Sequence, residues 1–311
     1  MATIEMLDAA RVLALVSWRD AIDALRRALL DGLDPAVQPA RTAVPTANGE
    51  LLLMPAEFGD AAGVKVLSVA PGNDALGLPR IQATYTLMDA RTLAPIAVLD
   101  GAALTTLRTP ALSAVAVDAL AAPDASRLVV LGAGPQAEGH VHAMRAVRPI
   151  TDVRIVSRSA ASAAALVERL DADGVAASAA SVDAVAAADL IVAATSSSTV
   201  LFDGVGVRDG AVVVAVGSHH PDRRELDPAL LRRSLVVVED VATALREAGD
   251  VAMAIDEGAL SADDLVPLGD LVRAGRRDGG RATSVFKSVG QGWQDLVVAR
   301  AALAAARRHP D

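Results

Sequence analysis

Cysteine is absent from this chain, and its absence excludes several kinds of chemistry. Among the 311 residues there is no thiol to form a disulfide, to act as a nucleophile or to bind zinc as a thiolate. Aromatic residues make up only 2% of the chain, and an excess of basic charge is also missing, since the formal net charge is -9. Proteins that bind nucleic acids need a basic face and aromatic stacking platforms. We therefore expect a small-molecule ligand and no nucleic acid.

Long apolar runs are missing as well. The run that ends at Thr195 is short and is interrupted by Asp189, whereas a helix that crosses a membrane needs about 20 apolar residues. The N-terminal MATIEMLDAAR carries acidic residues and lacks the basic start and the apolar run of a signal peptide. We expect a cytoplasmic protein without a membrane partner.

A glycine turn between two β-rich runs is the most informative feature that is present. Residues 128–131 form a short apolar run, the turn Gly132-Ala133-Gly134 follows, and an amphipathic segment leads to a β-branched run at 153–156. Glycines let a backbone approach a pyrophosphate, and the next helix offers free N–H groups. A glycine turn alone needs no ligand, but its position between two strands favours a dinucleotide, with Ala137 at the third fingerprint position.

Further β-rich runs predict a doubly wound parallel sheet. They lie at residues 190–193, 212–216 and 235–238, and most alternate with alanine-rich helical segments. In such a sheet, ligands bind beyond the carboxyl ends of the strands. One rim is therefore expected to collect four segments, at residues 132–137, 157–159, 195–198 and 217–220.

The end of the second predicted strand bears on the choice of cofactor. An acid there binds the ribose 2′-hydroxyl of NAD, whereas basic and hydroxyl groups suit the 2′-phosphate of NADP. This chain has Ser157, Arg158 and Ser159 and no acid. We expect NADP(H) to be preferred, with NAD(H) as the alternative, although an arginine after a strand can also be a solvated charge.

The residues before the glycine turn predict a separate α/β domain. Ser17 is expected to cap a helix that ends near Gly32, and short runs broken by proline and glycine between residues 38 and 85 predict strands. The expected domains are residues 1–122 and 123–290, with residues 291–311 packing back on the first. In the tail, two glycines and a lysine between apolar residues predict a functional turn before the last helix.

Three basic residues of this first region stand out. Arg41 precedes a strand, and its pattern alone favours a solvated charge. Lys65 lies inside the apolar strand GVKVLSV and must either extend to solvent or find an anion, and the sequence gives both outcomes equal weight. Arg108, early in a predicted helix over residues 104–120, can pair with a nearby acid or reach a bound anion.

The histidines do not have the spacing of a metal site. His140 and His142 are two positions apart on a predicted helix and point to different faces. His219 and His220 lack cysteine or convincing carboxylate companions. We expect no bound metal.

Several segments carry a resemblance to a known family. In order they are GVKVLSV, GLPRIQA, LDGAALTTLRTPALSA, LVVLGAGPQA, ADLIVAATSSS, AVGSHHPDRRELD and TSVFKSVG, and they extend over nearly the whole chain. With them the chain resembles the ornithine cyclodeaminase and mu-crystallin family. The resemblance implies a Rossmann domain and a second α/β domain that binds substrate and forms a homodimer. It also implies a carboxylate-bearing substrate between the nicotinamide and a basic cluster at Arg41, Lys65 and Arg108.

The resemblance, together with the predicted rim, marks the residues expected to act. Lys65 and His219 are the expected catalytic residues. The expected cofactor-binding residues are Arg108, Thr109, Gly132, Gly134, Pro135, Gln136, Ala137, Ser157, Arg158, Ser159, Thr195, Ser196, Val216, Gly217 and Ser288.

One position departs from the family pattern. Ornithine cyclodeaminases carry an aspartate where this chain has His219, so deaminative cyclisation of ornithine is doubtful, while His219 can still exchange a proton near neutral pH. Family members without that aspartate include imine reductases. The expected reaction is therefore NAD(P)H-dependent reduction of a cyclic ketimine such as 1-pyrroline-2-carboxylate or 1-piperideine-2-carboxylate. The alternatives are an alanine-type amino-acid dehydrogenase, an ornithine cyclodeaminase and a non-catalytic mu-crystallin-like binding protein.

Overall fold

The computed structural model describes residues 4–275 and 283–308 of the chain. Its strands are β1 (Glu5–Leu7), β2 (Thr42–Thr46), β3 (Gly49–Phe58), β4 (Ala61–Val69), β5 (Ile81–Asp89), β6 (Pro95–Asp100), β7 (Arg127–Leu131), β8 (Asp152–Val156), β9 (Ala177–Ala179), β10 (Leu190–Ala193), β11 (Val212–Ala215), β12 (Ser234–Val238), β13 (Leu265–Pro267) and β14 (Thr283–Lys287). Its α-helices are α1 (Ala9–Leu15), α2 (Trp18–Leu30), α3 (Gly101–Leu120), α4 (Pro135–Val147), α5 (Ala160–Ala172), α6 (Pro228–Arg232), α7 (Val241–Glu247), α8 (Gly249–Asp256), α9 (Leu268–Ala274) and α10 (Gly292–Arg308).

The chain divides into two compact units. The N-terminal unit comprises the residues up to Thr109 together with those from Gly290 onward, and the central unit comprises Pro110–Val289. The first division falls inside α3, beside Pro110, a residue that has no N–H to donate to the helix. The expected functional domain limits, after residue 122 and after residue 290, stay a prediction.

The N-terminal unit is built on a six-stranded sheet. The strand order is β1-β6-β5-β4-β3-β2, and every pair is antiparallel except β1 with β6. Met54, Lys65, Tyr85 and Leu99 stand opposite one another across four strands and are buried. Helix α10 packs on β3, β4 and α2, so the C-terminal helix belongs to the core of this unit.

Helix α2 forms as its sequence predicts. The Ser17 side chain accepts a hydrogen bond from the Asp20 N–H, and the Asp20 side chain accepts one from the Ser17 N–H. This reciprocal capping box satisfies two N–H groups that would otherwise have no helical partner. The buried residues Ile22, Leu25 and Leu29 recur at spacings of three and four, which places them on one face toward the core.

The central unit is built on an eight-stranded sheet in which all neighbours are parallel. Its strand order is β13-β12-β14-β11-β10-β7-β8-β9. The five predicted runs form β7, β8, β10, β11 and β12, which confirms the doubly wound parallel sheet. Val129, Ile191, Val213, Val236 and Val285 are at most 2% exposed, as expected of parallel strands covered on both faces.

Strand β14 was not predicted. The segment expected to form a functional turn instead begins as a strand between β11 and β12, with Lys287 paired in register with Ala215 and Val238. A charged residue in an apolar run argues against a buried strand unless an acid compensates it. The sequence could not show that acid, because it lies elsewhere in the chain. In the described part of the chain, no helix has the length and apolar character needed to cross a membrane.

Candidate functional site

Gly290 brings two of the predicted basic residues together in the N-terminal unit. The Nη2 atom of Arg41 donates a hydrogen bond to the carbonyl oxygen of Gly290 at 2.9 Å. Gly290 has φ of +80°, and a Cβ on it would lie 2.7 and 2.8 Å from the two Nη atoms of Arg108. The left-handed backbone favours glycine here, and the lack of a side chain leaves room for the Arg108 guanidinium.

Lys65 finds its anion inside the protein. Its side chain is 1% exposed, and Nζ lies 2.9 and 2.8 Å from the two carboxylate oxygens of Asp295 on α10. Nζ also donates to the Thr105 hydroxyl at 3.0 Å. Two N–H bonds of the ammonium are thus directed at a carboxylate and the third at a neutral hydroxyl.

The charges around Lys65 act on its pKa in opposite directions. The pKa of Lys65 is lowered from 10.5 to about 8, because burial, the largest cause, and the charges of Arg108 and Arg41 lower it more than the Asp295 carboxylate raises it. The nearby Tyr85 hydroxyl has its pKa raised well above the usual value, first by burial and then by Asp295. Lys65 is therefore poised to titrate at mildly alkaline pH, whereas Tyr85 stays neutral there.

Arg108 shares the same carboxylate. Its Nε lies 3.5 Å from Oδ1 of Asp295, an ion pair without the geometry of a hydrogen bond. Its Nη1 donates to the Gln294 side-chain oxygen at 2.5 Å. Lys65 and Arg108 thus share one acid, and Arg41 lies near enough to lower the pKa of Lys65.

Asp295 and Gln294 were missed by the sequence analysis, although a signal for them existed. They stand in the run GWQDLVV, where two polar residues interrupt an apolar helix, and both are fully buried. The same reasoning that singled out Lys65 in an apolar strand would have singled out Asp295. Its partner could not be named from sequence, because 230 positions separate the two residues.

In the central unit, the glycine turn lies where the strand order reverses. Strands β7 and β10 are neighbours there, and Gly132 has φ of +122° with the carbonyl oxygen of Ala194 at 2.3 Å from the position of a Cβ. Gly134 caps α4 without a side-chain hydrogen bond, and Pro135 is the first helical residue. A helix start of this kind, with glycine at the cap, suits an anionic ligand, and here Gln136 follows Pro135 and Ala137 is buried.

One carboxylate joins the next two segments of the predicted rim. Glu225 Oε1 accepts hydrogen bonds from the Thr195 N–H at 3.0 Å and the Thr195 hydroxyl at 2.6 Å. Its Oε2 accepts from the Gly217 N–H at 2.8 Å. Burial raises the pKa of Glu225, while Lys287 and the Thr195 hydrogen bonds lower it. Glu225, which the sequence analysis missed, thus fixes the loops after β10 and β11, where Ser196 and Val216 also lie.

A buried ion pair lies behind these loops. Lys287 Nζ donates to the Ser218 carbonyl oxygen at 2.6 Å and lies 2.8 Å from Asp250 Oδ2. Asp250 Oδ1 accepts the backbone N–H groups of Glu225 and Leu226 at 2.6 and 2.8 Å. The pair thereby holds the segment that carries Glu225.

The remaining predicted cofactor residues have local partners. Ser157 accepts the Ser159 N–H, and Ser159 caps α5 by accepting the Ser162 N–H, with Arg158 exposed between them. The hydroxyl of Ser288, after β14, donates to Glu239 at 2.9 Å. Thr109 is buried at the end of the N-terminal unit's share of α3.

The histidines differ sharply in exposure. His140 is fully buried, with Nδ1 2.7 Å from the Gln136 carbonyl oxygen and Nε2 2.9 Å from the Ser113 hydroxyl, and burial lowers its pKa to about 4. His219 and His220 are exposed, with ring centroids 4.4 Å apart. Within residues 4–275 and 283–308, no group of three or more histidines and carboxylates could hold a metal ion.

Comparison with known proteins shows the family to which the chain belongs. The sequence pattern of the ornithine cyclodeaminase/mu-crystallin family matches residues 3–308. The chain belongs to this family. One relative, the Δ1-pyrroline-2-carboxylate reductase of Bacillus cereus, is 37% identical over 276 residues, which are 85% of this chain and 84% of the relative.

Two solved structures are similar to this family member over nearly its whole length. The Δ1-pyrroline-2-carboxylate reductase of Thermococcus litoralis, in complex with NADH and L-proline, has a TM-score of 0.91 at 30% identity and covers 98% of both chains. An archaeal alanine dehydrogenase dimer with bound NAD has a TM-score of 0.90 at 28% identity, over 98% of this chain and 96% of that chain. The predicted family and fold class are confirmed, and the protein is an NAD(P)-dependent oxidoreductase.

Proposed function

We propose that this protein reduces a cyclic ketimine carboxylate, of the 1-pyrroline-2-carboxylate or 1-piperideine-2-carboxylate type, to the cyclic amino acid. The main support is the charge of the buried pair Lys65 and Arg108, two cations that share the carboxylate of Asp295, with Arg41 close enough to lower the pKa of Lys65. A buried excess of positive charge is costly unless an anion compensates it. The carboxylate of the substrate would be that anion.

The central unit fits the dinucleotide that this reaction requires. The uncapped start of α4 and the close approach of Gly132 to Ala194 suit a pyrophosphate at residues 132–137. The loops joined by Glu225 present Thr195, Ser196, Val216 and Gly217 beyond the neighbouring strands. When bound, NAD(P)H supplies the hydride for the imine carbon.

The residues of the N-terminal unit have separate tasks in this proposal. Arg41 and Arg108 orient the substrate carboxylate, because guanidinium groups form paired, charge-assisted hydrogen bonds with carboxylates. The reduction breaks the C=N π bond, forms a C–H and an N–H bond, and consumes one proton. Lys65, with its pKa lowered to about 8, is the main candidate for the donor of that proton. The exposed His219 is the second candidate.

NADP(H) is the proposed preference over NAD(H). No acid follows β8, and the exposed Arg158 can meet a 2′-phosphate. We expect Arg158→Ser to lower kcat/KM for NADPH about tenfold, equivalent to about 1.4 kcal/mol, and to leave kcat/KM for NADH nearly unchanged. Equal losses with both cofactors would contradict a role in reading the 2′-phosphate.

A homodimer is the proposed assembly. On the face of the N-terminal sheet turned away from Lys65, Val44 and Leu51 stand opposite each other and are 41% and 37% exposed, and Met6 is 70% exposed. An apolar sheet face of this kind suits a second copy of the chain. The dimeric alanine dehydrogenase with the same fold supports the proposal. Sedimentation of the wild type and of Leu51→Glu tests it, since a wild-type monomer would exclude it.

Initial-rate assays of NADPH and NADH oxidation test the reaction. The purified protein is mixed with five- and six-membered cyclic imino acids, with pyruvate plus ammonium, and with keto acid alone, and the nicotinamide absorbance is followed. We expect turnover with a cyclic imino acid, and kcat/KM at least tenfold higher than with pyruvate plus ammonium. No loss of absorbance with any cyclic imine rejects the proposal.

An alanine-type dehydrogenase is the second candidate, and the similarity to the archaeal alanine dehydrogenase favours it. It predicts the opposite preference in the same assay, with pyruvate plus ammonium as the better substrate pair. Formation of proline from ornithine with catalytic NAD would instead restore the cyclodeaminase interpretation. Cofactor binding without turnover on any of these substrates would favour a binding protein.

A further inference from the structure

The hydrogen bonds of Lys65 are not equivalent. The two to Asp295 join an ammonium to a carboxylate, at 2.9 and 2.8 Å, and the one to Thr105 joins it to a neutral hydroxyl at 3.0 Å. The carboxylate carries a full negative charge that attracts the ammonium, whereas the Thr105 hydroxyl is neutral, so Asp295 holds Lys65 more strongly than Thr105 does. The N–H directed at Thr105 is therefore the one that a substrate atom could most easily redirect.

We propose that Asp295 is a positioning residue for the reaction: it holds the amine of Lys65 by two hydrogen bonds, keeps it protonated, and leaves its third N–H as the proton donor. This inference rests on the proposed imine reduction. When hydride reaches the carbon of the C=N bond, its nitrogen takes the proton of that third N–H. Lys65 is then neutral and regains a proton from solvent, while NAD(P)H has been oxidised and the imine reduced.

The surroundings of Lys65 show why an acid is needed. Among the described residues, three charged or titratable groups besides Asp295 face Lys65. Arg41 before β2 and Arg108 on α3 lower its pKa, and Tyr85 on β5 remains neutral. Burial disfavours the ammonium as well, and Asp295 on α10 acts against all of these effects. Without Asp295, Lys65 would lose its proton at a lower pH.

Lysine titration tests this without relying on catalysis. Lys65 and Lys287 are the only lysines of the chain, so protein labelled with [13C]lysine gives two Cε signals, which Lys65→Met assigns. We expect the Lys65 signal of the wild type to titrate near pH 8. In Asp295→Asn it should titrate roughly 1–3 pH units lower, the range caused by a neighbouring opposite charge.

The dependence of kcat/KM on pH gives the second readout. Activity that needs protonated Lys65 falls as the pH rises through its pKa, and this fall should move to lower pH in Asp295→Asn and return toward the wild-type position in Asp295→Glu. A purely structural loss would lower activity equally at every pH. The control is Asp60→Asn. Asp60 is the exposed partner of Arg300, which lies on α10 like Asp295, and its loss should leave the pH profile of kcat/KM unchanged.

Each outcome decides something. An unchanged Lys65 titration in folded Asp295→Asn overturns the inference, and so does a wild-type Lys65 signal that is already neutral at pH 7, which needs no variant to fold. If the wild type reduces no cyclic imine, the proposed function fails, while the NMR titration still decides whether Asp295 controls the charge of Lys65.

Discussion

The two units each bury one lysine against one aspartate, yet the two pairs have different surroundings. Lys65 shares Asp295 with Arg108, so two buried cations face one carboxylate and positive charge is in excess there. Lys287 faces Asp250 with Glu225 close by, so its charge is balanced by acids of the protein. The balanced pair anchors backbone, and the unbalanced pair is suited to an anion from outside. A buried lysine is therefore informative only together with the sum of charges around it.

The largest effect is expected from breaking the balanced pair. Lys287→Met leaves Asp250 buried without its cation, and losing one partner of a buried pair costs about 3–5 kcal/mol. Urea unfolding followed by circular dichroism measures this change in the free energy of unfolding. Lys65→Met is the matched variant and should cost less, because Asp295 keeps Arg108 as a neighbour. Equal losses would show that the two pairs do not differ in this way.

The next largest effect is expected from reducing the charge excess. Arg41→Met removes one proposed carboxylate ligand, and hydrogen bonds to charged groups are worth about 1.5–3 kcal/mol. We expect kcat/KM for the imino acid to fall roughly 10- to 150-fold, mostly through a higher KM, since the contact is made before and during reaction. Arg91→Met changes an exposed arginine of the same unit and should have no effect. An unchanged KM in Arg41→Met would remove Arg41 from the site.

The smallest effect is expected at the acid beside the balanced pair. Glu225→Gln keeps the shape but replaces one acceptor with a donor that faces the Gly217 or Thr195 N–H. Loosening both loops should weaken NADPH binding about tenfold, or about 1.4 kcal/mol, measured by fluorescence titration.

The free energy of unfolding should respond less to this variant than to Lys287→Met. Burial raises the pKa of Glu225, so its ionised form is disfavoured in the fold. A group with a raised pKa contributes its full stability at pH values below its pKa in the unfolded chain, and this contribution is lost as the pH rises through its pKa in the fold. Glutamine does not ionise, so the variant avoids that loss. Glu257→Gln, at an exposed ion pair with Arg224, is the control. Equal affinity in both variants would argue against a role for the Glu225 link.

Much of the central sheet was predictable because its strands are buried on both faces. A strand such as β11 then reads as a continuous run of valine, and the glycine turn after β7 follows from backbone sterics alone. Strand β14 escaped prediction because Lys287 ends it, and its compensation by Asp250 depends on tertiary contacts.

The site was predictable in part for a related reason. Lys65 could be recognised as a charge within an apolar strand, but the sequence left open whether it extends to solvent or finds an anion. The structure shows that Asp295 is an anion that it finds. The resemblance selected the three basic residues, whereas the carboxylates Asp295 and Glu225 became evident only from distances.

The burial of both lysines makes each of them a reporter of local unfolding. Since Lys65 and Lys287 are 1% exposed and the chain has no other lysine, an amine-acetylating reagent reaches a side-chain amine only when the surrounding structure opens. Regions of a protein open with different free energies. Acetylation rates at the two positions, read by mass spectrometry of peptides, would thus measure the opening of the N-terminal and central units separately, in one sample and with no engineered label.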